Sequence, residues 1–168
     1  MAMAVLRTQL QLLITNHKIM LSTRPACIGD LDALASLFDQ YRQFYQQTPD
    51  IELAKSFIAA RLNNKDSVIL LAENNVGKLI GFCQIYPSFC SVIAAKIGVL
   101  YDLYVTVEAR NTGAGRSLML AAQDYAANNG MTRLDLTTAK NNVKAQALYE
   151  SLGWQRDEVF YAYSKPFK

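Results

Sequence analysis

Arg110, Gly113, Gly115 and Arg116 follow directly on the apolar run GVLYDLYV, and a segment with helical spacing follows them. Where a strand turns into a helix, the first amides of the helix have no partner within it. The helix dipole adds about half a positive charge at the same place, so an anion is well held there. Gly113 and Gly115 remove the Cβ atoms that would block a close approach, and the two arginines can add charge-assisted hydrogen bonds. The chemistry this points to is phosphate binding. Three phosphate turns compete for the pattern. A Walker loop requires a lysine after its last glycine, and none stands here. The dinucleotide fingerprint G-x-G-x-x-G fails at its third glycine, where Leu118 stands, although Asp135 lies where a ribose-binding acid would. The pattern R-x-x-G-x-G fits Arg110, Gly113 and Gly115 without a gap.

The surrounding elements are those such a turn needs. MLSTRPA reads as a short strand. Leu31, Leu34, Phe38, Tyr41 and Tyr45 then fall on one face of a helix, and IELAKSFIAARL predicts a second helix capped by Asp50. SVILLAE and LIGFCQIY flank the turn NNVGK as a hairpin, PSFCS reads as a loop, and KIGVLYDLYV as a long strand. The glycine turn opens a helix burying Leu118, Ala121, Ala122 and Tyr125. MTRLDLTT predicts a strand, NNVKAQALYESLG a helix ended by Gly153, and WQRDEVFYAYSKPF one or two last strands. Hairpin strands followed by strand–helix units predict a mixed α/β fold: one twisted mixed sheet of about six or seven strands with helices on both faces.

Composition narrows the class. The chain of 168 residues is long enough for one domain, with 51% hydrophobic and 18% charged residues. A net charge of +3, with no run of lysine or arginine, does not predict a nucleic-acid partner. Cys27, Cys83 and Cys90 form no C-x-x-C, and with His17 as the sole histidine no metal site is expected. The cysteines read as reduced thiols. Residues 1–19 place Met3, Leu6, Leu10, Leu13 and Ile14 on one helical face, which predicts an added amphipathic helix before a single domain of residues 20–168. No apolar run approaches the ~20 residues that span a bilayer, so a cytoplasmic protein without membrane contact is expected.

R-x-x-G-x-G is followed by a second pattern, N-x-x-A-x-x-L-Y-x-x-x-G, at Asn142, Ala145, Leu148, Tyr149 and Gly153, with Trp154 next. With these two motifs in this order the chain, from about Met20 onward, resembles the GNAT superfamily of acyl-coenzyme A-dependent N-acyltransferases. IGFCQIYPSF and VLYDLYV further resemble the central hairpin of diamine acetyltransferases and of small histone-acetyltransferase-like relatives. The diamine enzymes have two adjacent acids where this chain has Tyr101 and Asp102.

The resemblance implies roles. Acetyl-coenzyme A would be the co-substrate, its pyrophosphate held at Arg110, Asn111, Thr112, Gly113, Ala114, Gly115, Arg116 and Ser117. A bulge at Leu103, Tyr104 and Val105 would offer backbone to the thioester and pantetheine arm, with Asn142 beside that arm. Asp102 would accept the amine's proton, and Tyr149 would protonate the departing thiolate. Periodicity alone places Tyr149 on an apolar helix face with Ala145, Leu148 and Leu152. Lys140 or Lys144 could meet the 3′-phosphate, or be ordinary surface lysines. Tyr41, Tyr45, Tyr86 and Phe89 would wall a slot for a small amine, or pack as core. The expectation is an acetyl-coenzyme A-dependent N-acetyltransferase acting on a small primary amine by direct transfer, working as a homodimer. A protein-lysine or N-terminal acetyltransferase, or a coenzyme A-binding module without turnover, are the alternatives.

Overall fold

The computed structural model describes residues 21–167, and the expectations placed on residues 1–19 lie outside them. The described chain forms two compact units, one ending at Leu136 and one beginning at Thr137.

The first unit runs β1 (Ser22–Pro25), α1 (Leu31–Phe44), α2 (Ile51–Asn64), β2 (Val68–Glu73), β3 (Leu79–Cys90), β4 (Ala95–Val105), α3 (Ala114–Asn128) and β5 (Leu134–Asp135). Its sheet has the order β1-β2-β3-β4-β5. Pairing is antiparallel through β4 and parallel at β5, so the sheet is mixed as expected. Asn74 sets the β2–β3 hairpin, its Oδ1 accepting from Val76 N at 3.1 Å and Lys78 N at 2.9 Å. Asp50 caps α2 as predicted, accepting from Leu53 N at 2.9 Å. Along β3 side chains alternate between faces. Phe82 meets α1 through Phe38 and Tyr41, whereas the Cys83 thiol lies against Leu118 O of α3. Helices therefore cover both faces, and Leu34, Ile58, Phe82, Leu118 and Met119 form the dry interior.

Two strand expectations are corrected. β3 does not end before PSFCS; it continues through Pro87 to Cys90. Proline is tolerated there because β2 stops pairing at Ile85, which leaves one side of β3 without a ladder at Pro87. The sheet has five strands rather than six or seven, for WQRDEVFYAYSKPF carries none. Its composition favours a strand, but Asp157 bends it locally, its Oδ1 accepting from Val159 N at 2.8 Å and Phe160 N at 3.0 Å.

The second unit holds α4 (Val143–Ser151). Asn142 caps it, accepting from Ala145 N at 3.4 Å and donating to Thr138 Oγ1 at 3.4 Å. Tyr149 sits near the helix end, its ring 6.2 Å from that of Trp154.

Candidate active site

Between β4 and α3 the chain makes one short turn, Val107–Ala109, and then two left-handed residues, Asn111 at φ 64° and Gly113 at φ 97°. A Cβ on Gly113 would meet nothing closer than Leu21 at 3.7 Å, so the backbone angle, not crowding, calls for glycine. No side chain caps α3, and the first amide to close a helical bond here is that of Ser117, to Gly113 O at 2.9 Å. The amides from Asn111 to Gly115 therefore precede the helical ladder at its positive end. Thr112 is spent on the turn, its hydroxyl donating to Ala109 O at 2.7 Å. Arg110 is fixed from two sides, with Nε donating to Val105 O at 3.3 Å and its guanidinium over the Phe44 ring at 5.5 Å. Arg116 lies on the first helical turn, exposed like Lys140 and Lys144.

The strand that leads into this turn is irregular, and the irregularity lies earlier than expected. Gln84 pairs with Asp102 and Ile85 with Leu100, so Tyr101 is an extra residue in β4; the bulge is at Tyr101, not at Leu103–Val105. The sequence could not locate it because a bulge is defined by the partner strand. β5 pairs with β4 only at Gly98 and Val99, so the backbone of Leu103, Tyr104 and Val105 runs past that pairing toward the turn. Gly98 permits the β5 contact: a Cβ there would lie 2.6 Å from the Leu134 side chain and 2.8 Å from Met131 Sδ.

The bulge also changes what β4 shows to α1 and α2. In a regular strand adjacent side chains point to opposite faces, yet Tyr101 and Asp102 both line one cavity of about 520 Å³. Phe38 and Tyr41 come to it from α1, Phe57 from α2, and Tyr86 from β3. Of the four residues expected there, Tyr41 and Tyr86 line it. Tyr45 packs edge-on against Tyr41 at 5.2 Å without reaching it, and Phe89 is 77% exposed near the hairpin end. Sequence reasoning missed Phe38 and Phe57, whose rings stack 5.1 Å apart, and Tyr101, edge-on to Tyr86 at 5.9 Å.

Asp102 is the cavity's carboxylate and is only 6% exposed. Burial raises its pKa above the usual carboxylate range, and a hydrogen bond from the Tyr41 hydroxyl pulls the other way without cancelling it. Its cross-strand neighbour Gln84 donates to Ser67 Oγ at 2.7 Å, while its buried Oε1 accepts no hydrogen bond. Burial beside Asp102 raises Tyr41 as well, and Tyr86 is pushed up to about 12, so both phenols stay protonated at neutral pH. A buried carboxylate that holds its proton above the ordinary range is a stronger base than a surface one. It lies in a largely aromatic cavity, on the strand that enters the glycine turn. That arrangement can accept a proton from a small cation while a phosphate-bearing ligand is held nearby.

Among the described residues no group of His, Cys, Asp and Glu could hold a metal ion, and no helix is long and apolar enough to cross a membrane.

Residues 31–154 match the model of the Acetyltransferase (GNAT) family. The Bacillus subtilis (strain 168) protein "Uncharacterized N-acetyltransferase YhfO" is 48% identical over 143 residues, which are 85% of this chain and 95% of that protein. A solved structure described as "a probable acetyltransferase" superposes with a TM-score of 0.82 at 36% identity, covering 88% of this chain and 98% of that one. A Clostridium acetobutylicum structure described as a "predicted acetyltransferase with acetyl-CoA" shares the fold with a TM-score of 0.69 at 16% identity over 86% of this chain and 96% of its own.

Proposed function

The chain belongs to the acetyltransferase (GNAT) family, and from that premise we propose that it moves an acetyl group from acetyl-coenzyme A to a primary amine of a small molecule by direct transfer in a ternary complex. The observation that carries this reading is Asp102, a buried carboxylate of raised pKa in an aromatic cavity, on the strand that runs into the glycine turn.

The chemistry divides among the chain's own groups. A primary amine is protonated at pH 7, and freeing its lone pair costs roughly 4–5 kcal/mol. Asp102 takes that proton, and its raised pKa makes the transfer less uphill than to a surface carboxylate. The neutral amine nitrogen then attacks the thioester carbonyl; a C–N bond forms, the nitrogen gives up its surplus proton to water, the C–S bond breaks, and the thiolate leaves. Amides from Asn111 to Gly115, with Arg110 and Arg116 beside them, hold the pyrophosphate of the donor. The extended backbone of Leu103–Val105 offers hydrogen bonds along the pantetheine arm. Tyr149 supplies the proton for the thiolate, an assignment that rests on its place in the N-x-x-A-x-x-L-Y pattern.

Acetyl-coenzyme A is expected to raise the melting temperature of the protein by binding the native state. Gly113→Asp and Gly115→Asp should each abolish that rise, since a carboxylate would then occupy the anion site. An undiminished rise in both variants overturns the phosphate assignment. Tyr149→Phe should lower kcat by about 10²–10⁴-fold with little change in the KM for acetyl-coenzyme A; a variant that turns over like the parent removes the tyrosine from the mechanism.

A further inference from the structure

The cavity at Asp102 holds more information than the position of a base. Its volume of about 520 Å³ is enough for a small organic molecule. Aromatic residues reach it from α1, α2, β3 and β4, and among the described lining residues Asp102 is the single carboxylate and none is cationic. Resting on the acetyl-transfer reading above, the geometry points to a primary monoamine with an aromatic or compact apolar body as the acceptor, selected against diamines by the bulge residue Tyr101 and against zwitterions by the want of a lining cation.

Charge matching makes the first exclusion. One buried carboxylate neutralises one ammonium. The second ammonium of a diamine would be taken out of water beside Phe38, Phe57 and Tyr86, with rings and neutral hydroxyls but no second carboxylate among the described lining residues to meet it. The second exclusion concerns amino acids. Arg61, whose guanidinium lies over the ring of the cavity residue Phe57 at 4.9 Å, bonds Asp66 at 2.8 Å. It is already neutralised, so a substrate carboxylate would enter the cavity without a counter-charge.

Tyr101 owes its place to the bulge. Without the extra residue, a side chain adjacent to Asp102 would face away from the cavity. With it, strand β4 presents a ring beside its carboxylate, and Tyr101 and Tyr86 form an edge-on pair along one wall. Tyr101 is 70% exposed, so its replacement should leave the fold intact. The residue type at this position then sets how many positive charges the cavity accepts.

The test uses the whole chain with acetyl-coenzyme A and four acceptors: 2-phenylethylamine, putrescine, spermidine and phenylalanine. Rates are followed by release of the coenzyme A thiol, and amine binding by calorimetry without the donor. For the parent, kcat/KM for 2-phenylethylamine is expected to exceed that of each other acceptor by about tenfold or more. Tyr101→Glu should reverse the order of 2-phenylethylamine and putrescine, Tyr101→Phe should preserve it, and both should keep the melting-temperature rise with acetyl-coenzyme A. A parent that prefers putrescine, spermidine or phenylalanine overturns the substrate class and leaves acetyl transfer standing. Should no acceptor release thiol, acetyl transfer to these amines fails, and calorimetry still decides the recognition: 2-phenylethylamine binding that Tyr101→Glu weakens upholds it. Absence of that binding sinks it.

Discussion

Asp39 and Asp102 are almost equally hidden from solvent, 7% and 6% exposed, and their carboxyl groups shift in opposite directions. Asp39 lies on α1 and accepts from Arg42 Nη1 at 2.9 Å, Gln43 Nε2 at 2.8 Å and the amide of Asp50 at 3.0 Å. Those donors, the Asp50 amide foremost, outweigh burial and hold its pKa below the usual range. Asp102 is offered the Tyr41 hydroxyl, and burial wins. Equal exposure therefore does not fix how a carboxylate titrates: Asp102 lies deeper among protein atoms and has fewer donors than Asp39, and both differences push its carboxyl up. Asp39 is spent on joining the end of α1 to the start of α2. Asp102 keeps basicity in reserve, at a cost to the fold.

Substitutions at the two positions should separate these roles most sharply in the rate. Asp102→Asn is expected to lower kcat/KM by about 10²–10⁴-fold, the usual worth of a general base. It should not lower the melting temperature at pH 8. A variant that keeps the parent's rate would break the contrast.

Asp39→Asn reverses the pattern. It weakens three hydrogen bonds to a buried charge, and stability should fall by about 1–3 kcal/mol in chemical denaturation. The kcat of the folded fraction should stay near that of the parent. A large loss of kcat at full folding would mean that Asp39 also serves the cavity.

Acidity supplies a finer test, because the signs differ. Asp39, with its lowered folded pKa, contributes stability above the unfolded value of about 4, and the contribution is lost as pH falls through the folded pKa. Asp102, with its raised folded pKa, favours the native state while protonated, and that preference is lost as pH rises through the folded pKa. The deficit of Asp39→Asn should therefore shrink toward acid pH. The relative gain of Asp102→Asn should grow toward alkaline pH. Urea midpoints of both variants and the parent at several pH values between 3 and 8 measure this. Parallel curves would show that neither carboxyl titrates as described.

The smallest effect belongs to Tyr41→Phe. It removes the hydroxyl that pulls the Asp102 pKa down and keeps the ring beside Phe38 and Phe82. Stability should change by roughly 1 kcal/mol or less. The acid limb of the pH–rate profile should move to higher pH; an unmoved limb would detach the phenol from the base.

What the sequence disclosed follows from how local each feature is. The turn at Gly113 was legible because a left-handed backbone before a helix is written in residue types a few positions apart. The Asp50 cap and the hairpin of β2 with β3 were legible for the same reason. The cavity was half legible. Tyr41 could be placed on a helix face, but Phe57 becomes a wall only through the packing of α2 against α1. Tyr101 reads as pointing away from Asp102 until the pairing with β3 is known. The last strands were expected from composition alone, and one aspartate side chain bonding its own following amides was enough to bend that segment.

The bulge in β4 has a consequence for how such a protein can diverge. Because Tyr101 is the surplus residue, Val99, Asp102 and Tyr104 would keep their facing if it were deleted, and the ladder on either side would close over the gap. Ancestry can therefore add, remove or exchange a wall of the cavity at one codon, with Asp102 and the glycine turn undisturbed. Relatives one residue shorter at this point are expected to take different acceptors while keeping the same donor.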